Sequence, residues 1–291
     1  MTNWLGHGGG WGGDAPVFDV DWPSQSDGAP ADKSYGLPMV WITIQQWEPS
    51  EGRTGRNCVW HYTPNDDPDG MQALDFGSDY YNEGMNCDPE SEHEKRVMCF
   101  RAAELLYLHA SIKGNAIADL CLGYVYSYDR CEGRYWDRDF TMSATNNDVN
   151  IGTASPDEHV AFDRDALAHL HFCRAAHAGI AEACYKLGDL LRDGRGCKMD
   201  LDEALQWFTK SYDLGKNMAP VIWGSTALRL GNAYENGEGC AQSFEDARSW
   251  YELATTGLGI AVRGGERWYR GALRHAEAGL VRTKQELSGR Y

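Results

Sequence analysis

The chain has 291 residues, enough for one large or two ordinary domains, and its 42% apolar residues can fill a sizeable core. Its net charge of −16 argues against binding to a nucleic-acid backbone or to an anionic membrane surface. No apolar run is long enough to span a bilayer, and the first residues have neither the basic flank nor the apolar core of a signal peptide. Nine cysteines without an export signal indicate reduced thiols, so we predict a cytoplasmic protein.

The charge is unevenly distributed along the chain. Residues 1–100 contain 17 acidic and 5 basic side chains, a net charge of −12. From Arg263 to the end there are 7 basic and 3 acidic side chains, a net charge of +4. The acidic front and the basic tail are therefore expected to attract each other or to attract different partners.

The chain begins with segments of low helical potential. Residues 1–37 are rich in Gly, Pro, Asp and Ser, which predicts a flexible segment. Within residues 38–69, two runs rich in β-branched and aromatic side chains, 39–47 and 57–62, predict a β-hairpin that leans on a helical body. The acidic turn that follows, 65–70, lacks the end ligands of a calcium loop and predicts a polar turn ending in a helix N-cap.

Residues 70–258 are repetitive, with the pattern of helical hairpins. Four predicted first helices carry an apolar residue followed by glycine: Phe76-Gly77, Leu122-Gly123, Leu187-Gly188 and Leu230-Gly231. Four predicted second helices carry an alanine followed four residues later by a ring: Ala103/Tyr107, Ala168/Phe172, Ala204/Phe208 and Ala247/Tyr251. Glycines are expected to end three of the first helices: Gly84, Gly194 and Gly237. We predict that the small residues let helices approach closely while the rings fill the space between hairpins.

These motifs resemble the Sel-one-like repeat family, close relatives of tetratricopeptide repeats. The strongest matches are KLGDLLRDGRGCKMDLDEALQWFTKSYDLG and RLGNAYENGEGCAQSFEDARSWYELATTG. The resemblance implies a mainly α fold, a right-handed α-solenoid of about four repeats, and a role as an adaptor or scaffold. Residues 259–291 would form a C-terminal capping helix with Trp268, Leu273, Ala276 and Leu280 facing inward and Arg270, Arg274, Glu277 and Arg282 outward; a basic docking surface is the alternative.

Two departures from the family pattern bear on function. Secreted members carry stapling disulfides, and some are called β-lactamases; here the equivalent positions are Ala176 with Cys184 and Ser111 with Asp119, so a stapled form is not expected. The second departure is an insertion at 131–160, which is either functional or a lineage-specific loop.

The sequence offers little sign of catalysis. It contains no Ser-x-x-Lys, no Gly-x-Ser-x-Gly, no P-loop and no His-Glu-x-x-His, so we predict neither an enzyme nor a cofactor. His169, Cys173 and His177 form a helical stripe, but it spans two turns and is too extended to chelate one metal ion unaided. Cys197 and Cys240 follow Gly-x-Gly turns and are expected to be buried packing residues, with a redox role as the alternative.

In solenoids of the resembled family the first helices line the concave surface. The residues there that flank the packing positions are Asp75, Ser78, Cys121, Tyr124, Lys186, Asp189, Arg229 and Asn232. Their mixture of charges and rings suits a peptide or protein better than a small metabolite. The predicted function is a non-catalytic adaptor, with a β-lactamase-like hydrolase and a self-associating structural protein as alternatives.

Overall fold

The computed structural model of the chain describes residues 67–130 and 164–289 together with four short strands. The α-helices in this part are α1 Met71–Asn86, α2 His93–Ile112, α3 Ala116–Ser127, α4 Arg164–His177, α5 Ala181–Asp193, α6 Leu201–Gly215, α7 Pro220–Asn236, α8 Phe244–Arg263 and α9 Arg270–Ser288. The fold is mainly α, as predicted. Among the described residues, none of the helices combines the length and apolarity that crossing a membrane requires. The predicted flexible segment 1–37 lies outside the described residues.

The strands form two separate antiparallel pairs. β1 Thr43–Gln45 pairs with β2 Asn57–Val59, and both strands lie within the two runs that predicted a hairpin. β3 Thr141–Thr145 pairs with β4 Asp148–Gly152 inside the 131–160 insertion. The insertion therefore carries a second hairpin.

The chain divides into two compact units, Met1–Ala118 with Tyr128–Phe162 and Asp119–Ser127 with Asp163–Tyr291. In the first unit α1 and α2 pack antiparallel along a row of glycines. A Cβ on Gly77 would lie 2.7 Å from the Tyr107 ring, and one on Gly84 would lie 3.0 Å from the Phe100 ring. Gly84 is thus an interior packing residue of α1, and the prediction that it ends the helix is wrong; α1 continues to Asn86.

The polar turn before α1 ends in a helix cap, as predicted. The Asp67 carboxylate is buried and accepts hydrogen bonds from the backbone N–H groups of Gln72 and Ala73, both at 2.9 Å. This satisfies donors that the first turn of a helix leaves without an intrahelical acceptor.

The second unit repeats one packing device three times. Gly123, Gly188 and Gly231 each lie against a buried ring of the following helix, Phe172, Phe208 and Tyr251 respectively. A Cβ on Gly188 would lie 2.5 Å from Phe208 and one on Gly231 would lie 2.8 Å from Tyr251. The predicted close approach of a neighbouring helix at these glycines is confirmed. The rings were predicted to fill the space between hairpins, and the structure places them against the first-helix glycine inside each hairpin. Each ring removes enough apolar area from water to contribute about 2–3 kcal/mol.

The turn between first and second helix is also a repeated structure. Gly196 and Gly239 both have positive φ, +68° and +72°. A Cβ on Gly196 would overlap the carbonyl of Asp165 at the start of α4, and one on Gly239 would overlap that of Leu201 at the start of α6. The third residue of each Gly-x-Gly turn therefore touches the backbone of the preceding second helix.

The cysteines after these turns occupy matching positions. The Cys197 thiol donates to the Leu190 carbonyl and the Cys240 thiol to the Ala233 carbonyl, each at 3.6 Å. Both side chains are half-buried, so the expectation of fully buried packing residues is wrong.

The C-terminal helix covers the last repeat, but it begins later than predicted. α8 runs to Arg263, a single 3-10 turn spans Arg267–Tyr269, and α9 follows from Arg270. Leu273, Ala276 and Leu280 pack against the cluster around Tyr251, as predicted. Trp268 was expected to face inward and is instead 85% exposed, because the 3-10 turn directs its neighbour Tyr269 onto the cluster.

Candidate protein-binding surface

The eight residues predicted for the concave surface fall in both units. Asp75 and Ser78 lie in the first unit, where Asp75 is exposed and Ser78 is half-buried. The Ser78 hydroxyl donates to the Leu74 carbonyl at 2.9 Å and lies 3.4 Å from the Tyr107 hydroxyl. Ser78 is thus partly engaged within its own helix pair.

The other six predicted residues lie in the second unit and are all half-buried: Cys121, Tyr124, Lys186, Asp189, Arg229 and Asn232. We expected them to line a concave binding surface. The structure instead links most of them through side-chain contacts between α3, α5 and α7.

Tyr124 of α3 is bound to α5 by a hydrogen bond and a cation–π contact. Its hydroxyl donates to the Glu182 carboxylate, which also accepts from the Tyr185 hydroxyl at 3.2 Å. The Lys186 ammonium lies 4.8 Å from the centroid of the Tyr124 ring. Burial raises the pKa of Tyr124 and Tyr185 well above the ordinary value, so both hydroxyls stay protonated and act as donors.

Asp189 of α5 and Arg229 of α7 form a two-pronged ion pair. The Arg229 Nε donates to Asp189 Oδ1 at 2.8 Å, and Nη2 donates to Oδ2 at 2.5 Å. The guanidinium also donates to the Ser225 carbonyl at 2.9 Å and stacks 4.4 Å from the centroid of the Tyr185 ring. Burial alone would lower the pKa of Arg229, but the Asp189 carboxylate outweighs it and raises that pKa above its usual value.

Asn232 connects this region to the C-terminal helix. The single hydrogen of the Tyr251 hydroxyl is shared between Asn232 Oδ1 at 2.7 Å and the Glu235 carboxylate at 2.5 Å. Glu235 in turn receives two hydrogen bonds from Arg282, both at 2.7 Å. Burial raises the pKa of Glu235, but the hydrogen bonds from Arg282 and Tyr251 outweigh it and leave that pKa below its ordinary value. Arg282 was predicted to face outward; it is exposed but paired.

Six residues form one continuous set across three first helices, which we name the α3–α5–α7 face. They are Tyr124, Glu182, Tyr185, Lys186, Asp189 and Arg229. Sequence reasoning missed Glu182 and Tyr185. The signal was present, because 182, 185, 186 and 189 follow the three- and four-residue spacing that places side chains on one helix face.

The thiol and imidazoles of the α4 stripe lie apart from this face. Cys173 Sγ is 3.4 Å from His177 Nδ1, and His177 packs edge-on against Trp207 at 5.1 Å between ring centroids. Within the described residues, no group of three or more His, Cys, Asp or Glu side chains is arranged to hold a metal ion.

One position equivalent to a family disulfide holds an ion pair instead. The buried Asp119 carboxylate lies 2.7 Å from His171 Nδ1 and 3.4 Å from Arg174 Nε. At the other position the buried Cys184 thiol donates to the Ala176 carbonyl at 3.7 Å, and burial raises its pKa to about 11. The fold therefore uses Cys184 in its reduced form.

Comparison with known families identifies the repeats. Residues 181–216 and 225–256, which comprise α5–α6 and most of α7–α8, match the Sel1 repeat family. These two segments match the family that the sequence motifs resemble. No curated protein matches the chain.

Two solved structures are similar in fold. One is the crystal structure of c5321, a protective antigen present in uropathogenic Escherichia coli strains and displaying an SLR fold; it is 21% identical with a TM-score of 0.45. The alignment covers 71% of this chain and 35% of that one. The other is a Sel1 repeat protein from Oxalobacter formigenes, 20% identical with a TM-score of 0.42, covering 67% of this chain and 61% of that one. The chain thus spans about a third to three fifths of the length of these structures.

Proposed function

We propose that this Sel1-repeat protein is a non-catalytic cytoplasmic adaptor that binds a peptide or protein segment on its α3–α5–α7 face. The observation that carries the proposal is the contact chain from Tyr124 through Lys186 and Tyr185 to Arg229, whose guanidinium pairs with Asp189. Side chains from three successive first helices are held in one arrangement before any partner arrives. Such preorganisation lowers the entropic cost of binding.

The chemistry of the face favours a polypeptide over a small molecule. Lys186 and Arg229 supply cations, Glu182 and Asp189 supply anions, and the tyrosine rings supply flat apolar area. Tyr and Arg are the side chains that most often dominate the binding energy of protein interfaces. A polypeptide carries donors, acceptors and apolar groups in the spacing needed to use all of these together.

The same residues are poorly suited to catalysis. Burial raises the pKa of both tyrosines, so neither serves as a base near neutral pH. The Arg229 guanidinium is held by Asp189 and by the Ser225 carbonyl. The hydrolase alternative rests on family naming alone, and burst acylation by a labelled penicillin would be the observation that revives it.

Lys186→Glu provides the sharpest test because a matched control exists on a second helix. Lys210 of α6 lies 4.5 Å from the Trp207 ring centroid, much as Lys186 lies over Tyr124, so Lys210→Glu makes the same charge change at the same kind of contact. Partners captured from native extract by the wild-type chain are identified, purified and titrated against both variants. We expect Lys186→Glu to weaken binding at least about tenfold and Lys210→Glu to leave it within about twofold.

Folding is checked by circular dichroism and thermal unfolding of both variants. Equal binding by the wild type and Lys186→Glu would remove the α3–α5–α7 face from the proposal. Equal loss in both variants would show that net charge, rather than this face, determines binding.

A further inference from the structure

Trp268 is the most exposed of the large apolar side chains in the described part of the chain. It is 85% exposed in the 3-10 turn between α8 and α9, whereas its neighbour Tyr269 packs on the core cluster. Tryptophan carries the largest apolar surface of any residue, and leaving it in water loses the benefit of burying it. An exposed tryptophan beside arginines has the composition of an interface hot spot.

Arginines flank this tryptophan in the sequence. Arg263, Arg267, Arg270 and Arg274 are all exposed, and none of the ion pairs among the described residues involves them. Residues 263–274 hold these four arginines and one acidic residue, Glu266, a net charge of +3. The whole chain carries −16, so the remaining residues carry −19. We name Trp268 and the four arginines the C-terminal basic surface.

The chemistry of this surface defines what it can bind. The four guanidiniums have no ion-pair partner among the described residues, so carboxylates are their complementary ligands. The indole ring is complementary to an apolar or aromatic side chain next to those carboxylates. A nucleic acid would also supply anions and rings, but the charge of −19 on the rest of the chain would repel its backbone. An acidic polypeptide with interspersed aromatic residues fits best.

The chain itself contains such a polypeptide. Residues 14–32, DAPVFDVDWPSQSDGAPAD, have five aspartates and no basic residue, and Phe18 and Trp22 lie among the aspartates. Acidic and apolar residues alternate from Phe18 to Trp22, the pattern that the surface requires. A chain with an acidic front and a basic end is complementary to other copies of itself through a head-to-tail contact.

We propose that the C-terminal basic surface binds residues 14–32 of a second copy of this chain, so that the protein self-associates head to tail. Asp19 and Asp21 pair with arginines of the surface, and Phe18 or Trp22 covers Trp268. The C-terminal basic surface and the α3–α5–α7 face have no residue in common, so each can be changed by substitution without altering the other.

Sedimentation velocity of the full chain tests the proposal. At 50 mM salt the weight-average mass should rise above the 32.5 kDa of one chain as concentration increases, and at 500 mM salt the self-association should weaken at least about tenfold because exposed charges are screened. Trp268→Ala should weaken it about tenfold without lowering the melting temperature, since the side chain is exposed.

Charge exchange identifies the two sides of the contact. Self-association should be abolished in each of two double variants, Arg267→Glu with Arg270→Glu and Asp19→Arg with Asp21→Arg. An equimolar mixture of the two double variants should restore it. All four substitutions in one chain should restore it as well. The control is Lys198→Glu with Lys284→Glu, which makes the same charge change at exposed lysines and should leave the mass unchanged.

Two results would overturn the proposal. One is a mass of one chain at every concentration and salt, which would also be the result if residues 14–32 bound their own chain. The other is failure of the fourfold variant to regain what the double variants lose, which would assign the surface to a different acidic partner. Neither result bears on Lys186, so the adaptor function is tested independently.

Discussion

Gly188→Ala tests whether close approach of helix and ring defines these repeats. The added methyl group would lie 2.5 Å from the Phe208 ring and 3.1 Å from the Ala204 carbonyl oxygen. Phe208 is 2% exposed, so its ring has no free volume into which it can move. The substitution should therefore force α5 and α6 apart.

The expected magnitude follows from two opposing terms. Alanine favours a helix interior over glycine by about 1 kcal/mol. Overpacking a rigid core costs about 2–3 kcal/mol. The net result should be a free energy of unfolding about 1–2 kcal/mol lower than that of the wild type.

Urea unfolding followed by circular dichroism measures this difference. Gly271→Ala in α9 is the matched control, because a Cβ there would meet no atom within 4 Å. The control should stabilise by about 0.5 kcal/mol, the opposite sign to Gly188→Ala. Adding Phe208→Leu to Gly188→Ala should cost less than the two single changes together, since the smaller side chain makes room for the methyl group.

A stabilised Gly188→Ala variant would refute the reasoning, because it would show that the helices separate at no cost. Strict additivity of Gly188→Ala and Phe208→Leu would do the same.

Three further predictions follow from charges. Asp189→Asn should lower the free energy of unfolding by about 2–3 kcal/mol, because it leaves the half-buried Arg229 guanidinium without its carboxylate partner. Equilibrium unfolding measures this loss, and an unchanged free energy of unfolding would contradict the prediction. Burial lowers the pKa of His109 from 6.5 to about 4, so between these pH values the unfolded chain binds a proton that the folded chain does not. The free energy of unfolding should therefore fall by about 1–3 kcal/mol as the pH drops from 6.5 to 4. The His109→Gln variant should lack this loss, and parallel pH profiles of the variant and the wild type would contradict the prediction. Arg282→Gln removes the pairing with Glu235 and should increase amide hydrogen exchange throughout α9. Lowering the pH through the depressed pKa of Glu235 should have the same effect in the wild type, because protonation removes the carboxylate charge. Unchanged exchange would show that apolar packing alone holds α9 in place.

The repeat architecture was predictable because its signal is local. A glycine on one helix and a ring on the next recur at fixed spacing, and packing small against large is a requirement that sequence displays directly. Gly84 shows the limit of that logic. A glycine near the expected end of a helix indicates either a stop or a close approach, and only the position of Phe100 in α2 distinguishes the two.

The sequence selected first-helix positions for the candidate surface, but it did not indicate how their side chains are paired. Flanking positions on the first helices identified Tyr124, Lys186, Asp189 and Arg229. Their pairing was not predictable, because Asp189 and Arg229 are 40 residues apart and their contact depends on the offset between α5 and α7. Trp268 was misassigned because helical periodicity was extended through a 3-10 turn, which changes the direction of successive side chains.

The glycines at the third position of the Gly-x-Gly turns have a consequence for how such a protein can diversify. Gly196 and Gly239 contact backbone atoms of the preceding second helix. The spacing between successive repeats is therefore set by backbone contacts and does not depend on which side chains lie on the surface. Exposed positions that hold no neighbouring helix can then vary in charge and size while the spacing of the helices stays constant, whereas Asp189 and Arg229 are constrained by their ion pair. A library randomised at exposed positions of this kind should therefore yield folded members with new binding preferences, which would make the array a scaffold for selecting binders.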